Sequence, residues 1–215
     1  MAIADLLAKL VELKSQLVTN LSSMGVTADE SEKLNTLVPK VLECKSDVIW
    51  SKDTVSKEVT SVKIPSGVTS IEMMAFFMNE NLTSITIPDS VTSIGMNTFE
   101  SCGSLARVTI GNSVTSIEDR TFSTCSSLAR ITIPDSVTSI GKYAFYYCTS
   151  LASITIPDSV TSIGDSAFSG CESLANIYYK GTEEQWNAIT KGSDWNLNIG
   201  SNVEGGTVIT YNYTG

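Results

Sequence analysis

A 23-residue unit recurs five times in succession, over 64–86, 87–109, 110–132, 133–155 and 156–178. No other property of the chain limits its fold as tightly. A unit this short cannot enclose an apolar core by itself, and copies in register bury their apolar faces only by stacking, which makes the product a solenoid. The stretch 59–64 matches 82–87, so a half-repeat precedes the first full copy and supplies an opening strand.

Apolar residues return in fixed columns. Ile64, Ile87, Ile110, Ile133 and Ile156 form the first; Val68, Val91, Val114, Val137 and Val160 the fifth; Ile71, Ile94, Ile117, Ile140 and Ile163 the eighth. Phe76, Phe99, Phe122, Phe145 and Phe168 follow, then Leu82, Leu105, Leu128, Leu151 and Leu174, then Ile85, Val108, Ile131, Ile154 and Ile177. Stacked like on like at the spacing of paired strands, five copies predict a rod on the order of 24 Å long with one continuous core. The Phe column carries the largest single contribution, roughly 2–3 kcal/mol for each buried ring.

The polar columns have structural work to do. Pro65, Pro88, Pro134 and Pro157 follow the strand-like residues and stop pairing there, since proline has no amide to donate; Gly111 takes that place in the third copy. Asp89-Ser90, Asn112-Ser113, Asp135-Ser136 and Asp158-Ser159 offer side-chain acceptors to turn amides. One such carboxylate per copy is not the converging set a calcium ion requires. Cys102, Cys125, Cys148 and Cys171 share a column with Asn79. Equal steps of 23 put one thiol in each coil, pointing the same way as its neighbours rather than at them. A position that accepts Cys or Asn is read as one that bonds the main chain at a bend, in preference to a disulfide or a metal site. Cys44 stands apart from this column.

Composition narrows the function classes. The formal charge of −9 and the lack of basic blocks argue against nucleic acid or an anionic membrane surface as partner, because both attract positive charge. The apolar runs are too short to cross a bilayer, so membrane insertion is not expected. The absence of histidine removes the commonest general base and metal ligand together. With no phosphate-binding Gly loop, nucleophile elbow or paired Cys-x-x-Cys, the chain reads as non-enzymatic, with no catalytic residue, metal or cofactor assigned.

The flanks differ from the repeats. Over 1–44, Leu6, Leu10, Leu13, Leu17 and Leu21 recur at steps of three and four and predict an amphipathic helix. Gly25 ends it, Thr27 and Glu30 form a capping box for a second helix, and Pro39 kinks or restarts that helix. The start carries Asp5 and Glu12 within its apolar stretch and does not have the form of a secretory signal, so cytoplasmic production is one expectation. Two readings of this hairpin stand: a cap over the open end of the solenoid, or an assembly element making a homo-oligomer through the Leu stripe. The segment resembles the helical N-termini of tail-associated proteins of prophages from Gram-positive gut bacteria, in the pattern LxELKxxLxxNLxxxGVTAxExExLxTLVxKV. The solenoid itself is assigned to 45–180. Over 181–215, Thr182 to Gln185 form a second capping box before a short helix with Trp186 and Ile189 on one face, and 207–213 alternate as a terminal strand.

The pattern I-P-x-S-V-T-S-I-G-x-x-A-F-x-x-C-x-S-L-x-x-I resembles the BspA-like bacterial leucine-rich repeat family over 59–180, and Ile177 to Ile189 is similar to that family's closing segment, in which a helix with a buried Trp covers the last coil. The resemblance implies an α/β solenoid: a right-handed, curved leucine-rich repeat coil with a parallel sheet, short helical turns opposite it, and a role in cell-surface adhesion or recognition.

Function is sought where the copies disagree. Beside the buried Ile the copies read Met73-Met74, Met96-Asn97, Asp119-Arg120, Lys142-Tyr143 and Asp165-Ser166. After the Phe they read Phe77-Met78, Glu100-Ser101, Ser123-Thr124, Tyr146-Tyr147 and Ser169-Gly170. These columns are expected to face solvent. Tyr143, Tyr146 and Tyr147 cluster in one coil, with Arg120 and Asn97 in the same variable columns, as candidate contacts to a protein or glycan. The Met and Phe group of the first copy either joins such a surface or packs beneath the N-terminal helices. On the sheet, Arg107 and Arg130 are expected on adjacent strands as a basic pair suited to a carboxylate partner. The leading expectation is therefore an extracellular, cell-surface or virion-associated recognition module of bacterial or prophage origin. The alternative is a structural assembly component, such as part of a phage tail, that oligomerises through 1–44.

Overall fold

The computed structural model describes residues 48–50 and 59–214. The Leu stripe, the Thr27 capping box, Pro39 and Cys44 lie outside the described residues. After β1 (Val48–Trp50), each coil supplies two short strands, and strands of like position stack into parallel ladders. One face is built from β2 (Ser61–Lys63), β4 (Ser84–Thr86) and β6 (Arg107–Thr109), and continues through β8 (Arg130–Thr132), β10 (Ser153–Ile156), β12 (Asn176–Tyr179) and β14 (Val208–Thr210). The second is built from β3 (Val68–Ile71) and β5 (Ser93–Ile94), then β7 (Ser116–Ile117), β9 (Ser139–Ile140), β11 (Ser162–Ile163) and β13 (Thr190–Lys191). Register advances by one repeat: Ser84 pairs with Arg107, Ile85 with Val108, and Thr86 with Thr109. The result is a parallel-stranded leucine-rich repeat solenoid.

Both ladders lapse at one place, between the second and third coils, where β6 and β8, and β5 and β7, belong to separate sheets. Gly111 sits at this junction. A Cβ there would lie 2.4 Å from the carbonyl oxygen of Pro88, so the close approach of the two main chains excludes the proline that other copies carry.

The core is the set of columns. All five Phe rings are buried and stack in series, with centroids 5.1, 5.2, 5.4 and 5.2 Å apart. The Ile, Val and Leu columns are buried around them, with Val108 half-buried.

The third side of each coil, where the family resemblance implied short helical turns, is built from hydrogen-bonded turns that do not extend into a helix. Its main chain alternates between two hydrogen-bonding directions. Ala75, Phe77 and Asn79 donate back to Glu72, Met74 and Phe76 within their own coil, while Met74, Phe76 and Met78 donate to Met96, Thr98 and Glu100 of the next. This alternation requires left-handed backbone at two positions per coil: Met74 and Met78, Asn97 and Ser101, Arg120 and Thr124, Tyr143 and Tyr147, Ser166 and Gly170. A helix would spend every amide inside its own coil; here half of them join coils together.

Two expectations are corrected. Asp89 does accept a turn amide through Oδ1, that of Asn112 one coil on, but the serine beside it does not act as an acceptor. Ser90, Ser136 and Ser159 are donors, their hydroxyls reaching the carbonyls of Val68, Val114 and Val137 in the coil before. The column directly after the Phe is also not an exposed one. Ser123 and Ser169 are buried there and Phe77, Glu100 and Tyr146 are half-buried.

Beyond 180 the coil path continues in altered form. A helix, α1 (Glu183–Ala188), stands where other copies have the Pro-Asp-Ser turn, opened by the expected capping box with Thr182 and Gln185. β13 then pairs with β11, residues 193–198 repeat the turn with left-handed Asp194 and Asn198, and β14 pairs with β12. Ser166, Phe168 and Gly170 donate to Ser193, Trp195 and Leu197 as they would to a further coil. Trp195 meets Phe168 edge-on at 6.3 Å and closes the ring stack, backed by Trp186 and Tyr179.

Candidate interaction surfaces

The left-handed positions decide which side chains the turns display. An L-residue pays for this conformation, and Asn, Asp and Gly pay least. Asn97, Gly170, Asp194 and Asn198 meet that preference. The first, third and fourth coils do not, and in the fourth both left-handed positions are aromatic, Tyr143 and Tyr147 at φ 56° and 53°. Their rings gather around Tyr146. Tyr143 and Tyr146 meet edge-on at 5.4 Å, Tyr146 and Tyr147 at 4.5 Å, and the Arg120 guanidinium lies 4.8 Å from the centre of the Tyr143 ring. Tyr147 also covers Gly170, where a Cβ would come within 2.9 Å of its ring. Tyr147 and Arg120 are exposed, and Tyr143 and Tyr146 half-buried.

Charge borders this cluster in paired form. Lys142 Nζ lies 2.8 Å from Asp165, and that pair holds the Asp165 carboxyl below its usual range and the Lys142 ammonium above its own. Asp165 also accepts the amide of Ser193, tying the fifth coil to the turn beyond it. Asn97 is separate from the tyrosines: its amide donates to the Glu100 carboxylate within the second coil. Further toward the start, Met73, Met74, Met78 and Met96 are exposed.

On the first strand face, Arg107 and Arg130 occupy equivalent positions on β6 and β8 and are exposed. The two strands flank the break in the ladder, and a trough of about 810 Å³ lies across it. Its far wall is Tyr178, stacked on Tyr213 with centroids 4.5 Å apart. The arginines were expected on adjacent strands; β6 and β8 belong to successive coils but to separate sheets. Tyr213 was not predicted as part of this site, because it reaches Tyr178 only through the pairing of β14 with β12. The signal that could have marked this wall is Tyr178 itself, which interrupts a column of threonines.

The cysteine column is structural. Cys102, Cys125, Cys148 and Cys171 are free and buried, and each thiol donates to the carbonyl of Phe76, Phe99, Phe122 or Phe145 in the coil before, at 3.0–3.2 Å. Burial pushes the Cys102 thiol up to about 12, and those of Cys125 and Cys148 well above their ordinary value. No helix among the described residues is long and apolar enough to cross a membrane.

Comparison with known proteins gives this geometry its family. The BspA type leucine rich repeat region matches residues 54–183 in six copies. Among solved structures, the chain is similar to a leucine rich cell surface protein of Faecalibacterium prausnitzii, with 44% identity, a TM-score of 0.61, and coverage of 62% of this chain and 35% of that one. It is also similar to a leucine rich repeat protein of T. pallidum, with 30% identity, a TM-score of 0.56, and coverage of 65% and 71%. A leucine-rich repeat protein of Eubacterium ventriosum shares 29% identity at a TM-score of 0.50 over 62% of this chain and 34% of its own. The chain thus spans about a third of the Faecalibacterium protein's length. No curated protein matches it. Repeat pattern, coil geometry and sequence match agree, and the chain belongs to the BspA type leucine-rich repeat family.

Proposed function

We propose that the chain is a non-enzymatic recognition module of a bacterial or prophage-encoded surface protein, and that the turn face of its third and fourth coils contacts a protein or glycan on another cell. The observation that carries this reading is the placement of Tyr143 and Tyr147. Left-handed backbone suits Asn or Gly best, yet both positions of this coil carry rings, which meet Tyr146 and, through Tyr143, Arg120. Left-handed backbone under a bulky residue costs stability and persists where function holds it. Tyrosine in turn supplies contact area at small entropic cost. The surface location of the Faecalibacterium relative supports the same setting.

The test is adsorption of the fluorescently labelled chain to epithelial monolayers and to mucin-coated plates. Loss of at least tenfold in adsorption by Tyr143→Asn/Tyr147→Asn, with an unchanged circular dichroism spectrum, is the expected result. Undiminished adsorption of the double variant would overturn the reading.

A further inference from the structure

We propose that the trough over β6 to β12 is a second binding site, specific for a short acidic glycan whose carboxylate sits over Arg107 and Arg130 and whose sugar ring rests on Tyr178. Charge gives the first argument. The guanidiniums of Arg107 and Arg130 make no ion pair or hydrogen bond among the described residues, and no carboxylate lines the trough. In a chain with 23 acidic and 14 basic residues, two exposed arginines at equivalent positions of successive coils, lining one trough without a counter-charge, form a site for an anion. The fold does not need them, since Ser84, Ser153 and Asn176 fill the same column in other coils.

The rest of the lining selects the class of anion. Between the arginines and the tyrosines the surface offers hydroxyls, from Thr132, Ser153 and Thr155, and the amide of Asn176. The aliphatic side chains beneath, Ile110 and Ile131, belong to the core. The other aliphatic lining residues, Val108, Ala152 and Ala175, are small and spread over three coils, whereas a bound peptide draws most of its affinity from large apolar or aromatic anchors seated in pockets. A sugar uses what is present: hydroxyl and amide partners for its own hydroxyls, and an aromatic face for its ring. The stacked pair Tyr178–Tyr213 is the wall on which that ring would lie. From β8 to β12 is two strand steps, about 10 Å, so one ligand reaches both ends only if it exceeds a single sugar. The volume, about 810 Å³, lies within the range of small-molecule sites.

The experiment is calorimetric titration of the full chain with trigalacturonate and, separately, with sialyllactose, which share a sugar carboxylate but come from different sources. Lactose and a glutamate hexapeptide serve as controls. At least one acidic sugar should bind, weaken tenfold or more in Arg107→Ser/Arg130→Ser, and weaken as salt is raised. Serine is the residue of the same column in other coils, so this variant keeps its fold. Tyr143→Asn/Tyr147→Asn should bind that sugar unchanged, which separates this site from the turn face. The proposal fails if neither acidic sugar binds, if lactose binds as well as sialyllactose, if the hexapeptide alone binds, or if the arginine variant binds like the parent.

Discussion

The Cys148 thiol donates to the carbonyl oxygen of Phe122 at 3.1 Å, so a side chain of one coil is fixed to the main chain of the coil before it. The same bond recurs from Cys102, Cys125 and Cys171. Because burial raises the thiols of Cys102, Cys125 and Cys148, folding keeps those three protonated at a pH where the unfolded chain ionises. Their contribution to stability is fully present below the ordinary thiol value of about 8.5 and is lost as pH rises toward the folded value, about 12 for Cys102. Urea midpoints should be flat from pH 7 to 8 and fall above pH 9, and Cys102, Cys125, Cys148 and Cys171 of the native protein should resist iodoacetamide at pH 8 until denatured.

Phe145 stacks between Phe122 and Phe168, at 5.4 and 5.2 Å. Phe145→Ala should leave a cavity that neither adjacent ring can fill, at a cost of about 3–5 kcal/mol. Chemical denaturation of the variant checks this, and a midpoint like that of the parent would show that the stack collapses around the gap.

Tyr143→Asn puts a residue that tolerates left-handed backbone at φ 56° but removes ring contacts with Tyr146 and Arg120. The two effects oppose each other, each about 1 kcal/mol. Thermal denaturation should therefore place the variant within about 1 kcal/mol of the parent, so that any loss of adsorption reports on contact and not on folding.

Asp165 is held below the usual carboxylate range first by Lys142 and then by the amide of Ser193. Its contribution is present above the unfolded value of about 4 and disappears as pH falls through the folded one. Asp165→Ala should lower the urea midpoint at pH 7 and converge with the parent by pH 2. Lys142→Ala, which leaves the Ser193 bond intact, should have the smaller effect.

Much of the coil was legible because repetition turns burial into a column. Five Ile, five Val and five Phe at fixed intervals can satisfy their burial in few ways, and the Cys-or-Asn column implied a bond to main chain that the thiols do make. The turn face was illegible for a specific reason. Its left-handed positions carry Met74, Ser101, Arg120, Thr124 and the tyrosines, and only Asn97 and Gly170 among the repeats signal that conformation. The inter-coil bonds of Ser90, Ser136 and Ser159 were hidden likewise, because Asp-Ser after Pro reads as a local turn whichever way the hydroxyl points. Of the two surfaces, the arginines' equivalent positions on successive coils followed from the repeat, whereas Tyr213 came to that face by the pairing of a strand far along the chain.

The turn ladder has a direction. From the first coil to the last, Met74, Asn97, Arg120, Tyr143 and Ser166 all send their amides toward the C-terminal neighbour, and none sends one back. Among the described residues the two outermost turns on this side are therefore chemically unlike: main-chain acceptors at the first coil and main-chain donors at the turn of 193–198. Turns of the same kind cannot satisfy each other. Any lengthening of this rod, by gene duplication or by fusion to another run of coils, must join tail to head in one polarity.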